Sequence, residues 1–234
     1  MILLHETHQV VPGALDEFER TYWDAVAPEL DRLDGVAPLW LLRQRQGIEG
    51  ELVIALTALR SGSALGAYTE WRQGKSGVAA RRLAGELSRR CDRKALLAAP
   101  WSTLREWDEI TEAAAPPAGD APRIFMEDTG WPYSVVSEYV DYQRRDYFEP
   151  LQQWAKSGHA LLKLWGFFLV APGTGRRPEA VFLQEVLDAR ALERLIGEPE
   201  VYDPDTFPGS YMVRGLLYRD QWRSRLLVAS KRPT

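Results

Sequence analysis

Residues 2–30, ILLHETHQVVPGALDEFERTYWDAVAPEL, decide the fold, because their hydrophobic period changes once and the same change returns further along the chain. Leu3, His5, Thr7 and Gln9 alternate with Leu4, Glu6, His8 and Val10, the two-residue period of a strand running over 2–11 into the Pro12-Gly13 turn. From there Leu15, Phe18, Tyr22, Val26, Leu30 and Leu33 recur at spacings of three and four, which is one face of a helix. Asp16, Glu17 and Glu19 put acidic charge where the first turn exposes amide donors. Pro28, lacking an N–H, should bend or shorten that helix. The order repeats with a strand over Ile124 to Thr129 and a helix opening at Ser134 that carries Val136, Tyr139, Val140, Tyr147, Leu151 and Trp154. Pro150 stands 122 residues after Pro28.

Working outward, the first copy continues with strands over Pro38 to Gln44 and Leu52 to Leu59. A helical region from Gly62 follows, interrupted by Gly66, Gly74, Gly77 and Gly85, and then a short strand over Ala95 to Ala98. The second copy continues with strands over Leu161 to Val170 and Ala180 to Leu187, joined through the Pro172 to Pro178 loop. Next come a short helix over Ala189 to Ile196, a proline-rich excursion from Pro199 to Gly209, a helix over Tyr211 to Trp222, and a closing strand over Ser224 to Ala229. This predicts an α+β chain of tandem ferredoxin-like β-α-β-β-α-β units, 1–112 and 123–234, joined by a linker at 113–122. Each sheet then has one face covered by its own helices and one in need of cover. The open faces can meet as a closed intrachain α/β barrel or be covered by another chain, and periodicity leaves both open.

The features from the first strand through Pro12-Gly13, the helix with Phe18, Tyr22 and Pro28, and the Leu96-Leu97-Ala98-Ala99-Pro100-Trp101 segment resemble the NIPSNAP-like branch of the dimeric α/β-barrel superfamily. The resemblance covers nearly the whole chain by pattern, and the second copy departs from it at Gly130-Trp131-Pro132-Tyr133 and at the Pro199 to Gly209 insertion. It implies a fold shared with ligand-binding proteins, small-molecule monooxygenases, isomerases and haem enzymes, and it implies paired units, hence a homodimer.

Composition narrows the partners. A formal charge of -4 over 234 residues offers no broad basic field for nucleic acid. Cys91 is the single cysteine, which excludes an intrachain disulfide and a thiolate-rich metal site and fits a reducing, cytoplasmic setting. Met1-Ile2-Leu3-Leu4 meets His5 and Glu6 at once, unlike a signal peptide, and no apolar run is long enough for a membrane span.

Polar residues on strands are the candidates for chemistry. Strand parity separates His5 from His8, which counts against a two-histidine metal site. His5, Glu127 and Glu185 are the candidate acid-base groups, each with a bland alternative at a wet sheet edge or in the contact between copies. Lys163, on an apolar strand, needs water, a carboxylate such as Glu185 or an anionic ligand, and it shares strand parity with Trp165. Trp40 and Tyr142 join Lys163 and Trp165 as candidate ligand contacts, although aromatic residues at such spacings more often pack between layers. Cys91 lies among Arg89, Arg90 and Arg93 without a local histidine base, and His159 sits at a helix-to-strand junction where capping suffices. Nucleotide, phosphate-loop, nucleophile-elbow and zincin signatures are absent. The leading expectation is cofactor-independent proton transfer or oxygenation of a small hydrophobic or anionic metabolite in a barrel cavity, with no metal and no cofactor. A non-catalytic small-molecule-binding protein and a protein-interaction scaffold are the alternatives.

Overall fold

A computed structural model of the protein describes residues 1–44, 50–114, 122–133, 135–158, 160–172, 177–188, 190, 193 and 210–232. Eight strands carry the fold: β1 (Ile2–Val10), β2 (Val36–Gln44), β3 (Leu52–Leu59), β4 (Ser88–Ala98), β5 (Ile124–Pro132), β6 (Leu162–Val170), β7 (Ala180–Val186) and β8 (Arg219–Ala229). They follow one another in the order β1-β3-β2-β8-β5-β7-β6-β4, and β4 pairs back onto β1. The first four strands thus lie as β4-β1-β3-β2 and the last four as β8-β5-β7-β6, one pattern used twice. This is an α+β architecture of repeated ferredoxin-like units. Where the units join, the ladders are short: β2 meets β8 at Leu42, Arg43 and Gln44, and β4 meets β6 at Leu96, Leu97 and Ala98.

The repeat extends to an irregularity. In the first unit α1 (Leu15–Thr21) passes through a π-helical turn (Tyr22–Val26) into α2 (Ala27–Leu30). The second unit does the same, with α6 (Val136–Gln143), a π-helical turn (Arg144–Phe148) and α7 (Glu149–Lys156). The N–H of Ala27 bonds the Tyr22 carbonyl and that of Glu149 bonds the Arg144 carbonyl, each reaching back five residues. Pro28 and Pro150 come directly after these wide turns, where the regular ladder is already broken and a missing N–H costs least. The matched prolines therefore do occupy matching positions.

The remaining helices are α3 (Gly62–Gln73), α4 (Val78–Gly85), α5 (Trp107–Ala114) and α8 (Tyr211–Gly215). Ser61 caps α3 by accepting from the Ala64 N–H at 3.3 Å, and Ser210 caps α8 by accepting from the Val213 N–H at 3.2 Å. Of the four glycines in this region, Gly77 is required by contact: a Cβ there would lie 2.5 Å from the Trp71 carbonyl oxygen.

Strand alternation sorts the apolar residues into three cores. Leu4 and Val10 pack under the first unit's helices with Phe18, Tyr22 and Val26. Phe167 and Phe182 pack under the second unit's helices with Tyr139 and Tyr142. Leu3, Trp40, Leu56, Phe125, Trp165 and Leu183 meet on the opposite face, in an inner layer to which both units contribute.

Four expectations need adjustment. β4 begins at Ser88 rather than Ala95, because the arginine-rich segment before it is a strand in register with β1. The helix expected to reach Trp222 stops at Gly215, and β8 starts at Arg219, which pairs with Pro132 across a bulge. α5 runs into the expected linker as far as Ala114, and Ala113 is buried in the inner core; residues 115–121 lie outside the described residues. The helix over Ala189 to Ile196, except Arg190 and Glu193, and the Pro199 to Gly209 excursion also lie outside them, as do His159 and 173–176 of the loop after Pro172.

Candidate functional site

In the inner layer, on the sheet face opposite the helices, His5 from β1 and Glu127 from β5 meet across the two units. His5 Nε2 lies 2.6 Å from Glu127 Oε2, and each residue is 1% exposed. Arg225 Nη1 approaches the other carboxylate oxygen at 3.4 Å, and Lys94 pairs with Glu179 nearby, all four groups being buried or nearly so. Burial alone would raise Glu127, but His5, Lys94 and Arg225 overcome it and take the carboxyl down to about 2. Burial lowers His5 despite the attraction of Glu127. The pair is therefore a neutral imidazole donating from Nε2 to an ionised carboxylate. Both valences are spent within the protein.

Glu185 does not join them. It stands opposite Phe125, one inward step along β5 from Glu127, and accepts from Arg123 Nε at 2.8 Å, Arg123 Nη2 at 2.9 Å and Trp165 Nε1 at 2.8 Å. Burial pushes Glu185 up, and Arg123, Trp165 and Lys163 outweigh it and hold it low. A carboxylate held by a bidentate guanidinium is a structural anchor and a poor proton acceptor. Lys163 is exposed, in register with Glu185, with its Nζ 3.5 Å from the Trp165 ring centroid. Trp40 packs edge-on against Trp165 at 5.4 Å. Tyr142 is on the other face of the sheet, stacked on Tyr218 at 4.6 Å and on Tyr211 at 5.6 Å. The four expected ligand contacts are thus split between two layers. An open cavity of about 630 Å³ lies elsewhere, on the first unit, lined by Glu17, Arg20, Asp24, Glu29, Lys75 and Arg82 among others, and none of the expected site residues borders it.

A different group converges under the first unit's helices. Glu6, His8 and Cys91 bring one ligand atom each to within 4.8 Å of one another. β1 and β4 are in register with His8 opposite Cys91 and Glu6 opposite Arg93, so the cluster follows from the ladder. Ser88 Oγ donates to the Leu83 carbonyl at 2.6 Å, which leaves it to accept from His8 Nδ1 at 3.1 Å. His8 Nε2 consequently turns its lone pair toward Cys91 Sγ, 3.9 Å away. Burial takes His8 down to about 4 against the pull of Glu6, with Arg72 and Arg93 adding to the fall. Burial and Glu6 hold the Cys91 thiol above its ordinary range. Glu6 accepts from Arg93 at 2.6 Å, Arg72 at 3.2 Å and the Tyr68 hydroxyl at 3.0 Å. Sequence reading missed the histidine beside Cys91 because it began β4 too late. A full-length fourth strand beside the first, as the repeat requires, would have revealed it.

Two expectations are corrected here. The parity that parts His5 from His8 holds, and a three-donor set with one histidine, Glu6, His8 and Cys91, forms on the helix side where no metal site was expected. The expectation of cofactor-independent proton transfer or oxygenation is also corrected. The finding against it here is the Glu6–His8–Cys91 donor set, in which His8 Nε2 faces Cys91 Sγ at 3.9 Å.

No family model and no curated protein matches the sequence. Solved structures do match, at low identity. They include an anthrone oxidase-like protein (11% identity, 98% of this chain and 91% of that chain, TM-score 0.58). A candidate monooxygenase from Lactobacillus acidophilus NCFM matches at 8% identity over 97% of this chain and 93% of that chain, TM-score 0.55. A mutant chlorite dismutase from Candidatus Nitrospira defluvii matches at 9% identity over 98% of this chain and 91% of that chain, TM-score 0.52. The matched structures are named for oxidases, monooxygenases and chlorite dismutases, so the NIPSNAP-like assignment and its dimeric-barrel label are corrected. Across nearly its whole length, the chain is similar in fold to anthrone oxidase-like, monooxygenase-like and chlorite dismutase structures.

Proposed function

We propose that the protein binds a transition-metal ion through Glu6, His8 and Cys91 and acts with it on a small molecule, in the oxidative class that the matched structures suggest. The observation that supports this most is the His8 lone pair, fixed by Ser88 and aimed at Cys91 within a three-donor cluster. An outer hydrogen bond that sets the tautomer is the usual support of a ligating histidine. Imidazole, thiolate and carboxylate together suit a borderline-soft ion such as Zn²⁺, or Fe²⁺ or Cu⁺. Such an ion, when bound, supplies Lewis-acid or redox chemistry. Cys91 gives up its thiol proton on binding, and Glu6 must exchange part of its arginine pairing. Arg93 is the group that yields, since its side chain is 38% exposed whereas that of Arg72 is 13% exposed.

Metal analysis of protein purified without chelators tests the reading, followed by Co²⁺ titration of the stripped protein. Sulfur-to-cobalt charge-transfer absorption is expected in the parent and is lost in Cys91→Ser and His8→Ala. Absence of that band in folded parent protein would overturn the proposal.

Several finer readings belong with this one. The sheet is proposed to close as an intrachain barrel, and the units are proposed to span 1–112 and 123–234 with a linker at 113–122. No helix among the described residues is long and apolar enough to cross a membrane; a cytoplasmic location is proposed on the single cysteine. A homodimer loses the support of leftover sheet edges, since each described strand has a neighbour on both sides. Sedimentation at several concentrations decides it.

A further inference from the structure

The interlayer beneath the second unit's helices holds a buried cation whose fork meets no acceptor among the described residues. Arg219, at the start of β8, is 2% exposed, and neither its Nε nor its Nη2 has a hydrogen-bond partner. These two nitrogens form the side edge of the guanidinium, the fork whose parallel N–H groups match a carboxylate. A cation removed from water and left without acceptors is unstable unless something anionic reaches it. Asp128 does not fill that role. Its carboxyl takes its hydrogen bonds from Ser224 Oγ and from Gln184 Nε2 at 2.7 Å, and no ion pair joins it to Arg219 among the described residues.

The surroundings keep the fork in place. The Trp222 ring lies 4.4 Å from the guanidinium carbon. Glycines make room for it: a Cβ on Gly130 would lie 3.3 Å from Arg219 Cδ, and one on Gly215 would lie 2.9 Å from Nη2. Aromatic rings continue beyond, with Tyr211 6.4 Å from Trp222 and 4.7 Å from Tyr147. A side-on fork set beside aromatic rings favours a planar organic carboxylate over an inorganic anion.

We propose that Arg219 is the anchor of a second binding site, for a small aromatic carboxylate held side-on by Nε and Nη2 between the sheet and helices of the second unit. This site is independent of the Glu6–His8–Cys91 reading, and either can fail alone.

Calorimetric titration of the parent protein with benzoate and 2-naphthoate, against benzamide and 2-naphthamide, is the test. Saturable binding of the acids at least tenfold tighter than of the amides is expected. Arg219→Lys keeps the charge and loses the fork, and should weaken the acids at least tenfold with the near-ultraviolet circular dichroism unchanged. Gly215→Ala sets a methyl against Nη2 and should do the same, which guards against misfolding of the arginine variant. Equal affinity for acid and amide, or no saturable binding to folded parent protein, would overturn the proposal. So would a crystal structure of the 2-naphthoate soak showing only water at the fork.

Discussion

The same strand position is Glu6 in the first unit and Asp128 in the second, and the two carboxyls face their helices in opposite electrostatic company. Glu6 meets two guanidiniums and a tyrosine hydroxyl, and Arg72 and Arg93 hold its pKa low although burial works the other way. Asp128 meets a serine and a glutamine, and burial raises it to about 7. Two residues on, His8 packs edge-on against Phe18 at 4.9 Å, while Gly130 leaves space that Tyr139 and Arg219 enter. A duplicated backbone thus carries one layer with its charges internally matched and one with a charge left over. Duplication copies geometry, and the side chains then diverge in what they leave unsatisfied.

The largest test of this contrast is Glu6→Gln, which strands Arg72 beside a neutral amide. A loss of about 3 kcal/mol is expected from breaking such a buried pair, read as a fall in denaturation midpoint, and a loss below about 1 kcal/mol would mean the arginines reach other acceptors. Next comes Gly130→Ala, whose methyl would lie 2.5 Å from the Tyr139 hydroxyl. Overpacking of this kind costs about 2 kcal/mol. The equivalent His8→Ala change creates space and tests the opposite sign of strain. Arg93→Ala removes one repelling cation and should tighten Co²⁺ binding about fivefold, roughly 1 kcal/mol. Unchanged cobalt affinity would detach Arg93 from the cluster.

Asp128→Asn should cost under about 1 kcal/mol at neutral pH, because its hydrogen-bond partners are a serine hydroxyl and a glutamine amide. Its signature is in the pH profile. The folded-state value of about 7 lies above the ordinary 3.8, so between these the folded protein keeps a proton that the unfolded chain has lost. The stability due to this group is complete below about pH 4 and is lost as pH rises through about 7. The groups that face Asp128 are Ser224 and Arg219 from β8, Gln184 from β7, Glu127 from its own strand, and Tyr139 and Tyr147 from the helical layer. The parent's denaturation midpoint minus that of Asp128→Asn should fall as pH rises from 4 to 8, whatever slope the buried histidines give both proteins. Identical profiles would remove Asp128 as the titrating group.

The order of elements was legible because period two and period 3.6 leave different imprints, and because Pro28 and Pro150 mark the same place in two helices. That His5 and Glu127 occupy equivalent strand positions was legible from parity and copy equivalence, while their contact was not. What sequence could not reveal depends on register. Ser88 to Lys94 reads as surface charge until β4 is laid against β1 and Cys91 falls opposite His8. Arg219 reads as part of a helix until the bulge at Trp131 and Pro132 draws it into β8. Tyr142 shares an aromatic composition with Trp40 and Trp165, and composition carries no information about which side of a sheet a ring occupies. The pairing of Glu185 with Arg123, 62 residues away in sequence, also depends on register.

The two seams between units, Leu42 to Gln44 against β8 and Leu96 to Ala98 against β6, have three registered pairs each among the described residues, against seven or more in most ladders within a unit, with the Ser230–Leu41, Ala171–Ala95 and Ala99–Phe167 backbone bonds at their ends. Their amides are the first in the sheet that should exchange with deuterium, because opening a seam breaks few backbone hydrogen bonds while each unit's own ladders stay intact. What resists that opening is the interior: the His5–Glu127 bond and the Trp40–Phe125 contact at 5.0 Å both cross from one unit to the other. The molecule is therefore hinged at its rim and clasped at its centre, and an expressed half would present to water the layer that the clasp now hides.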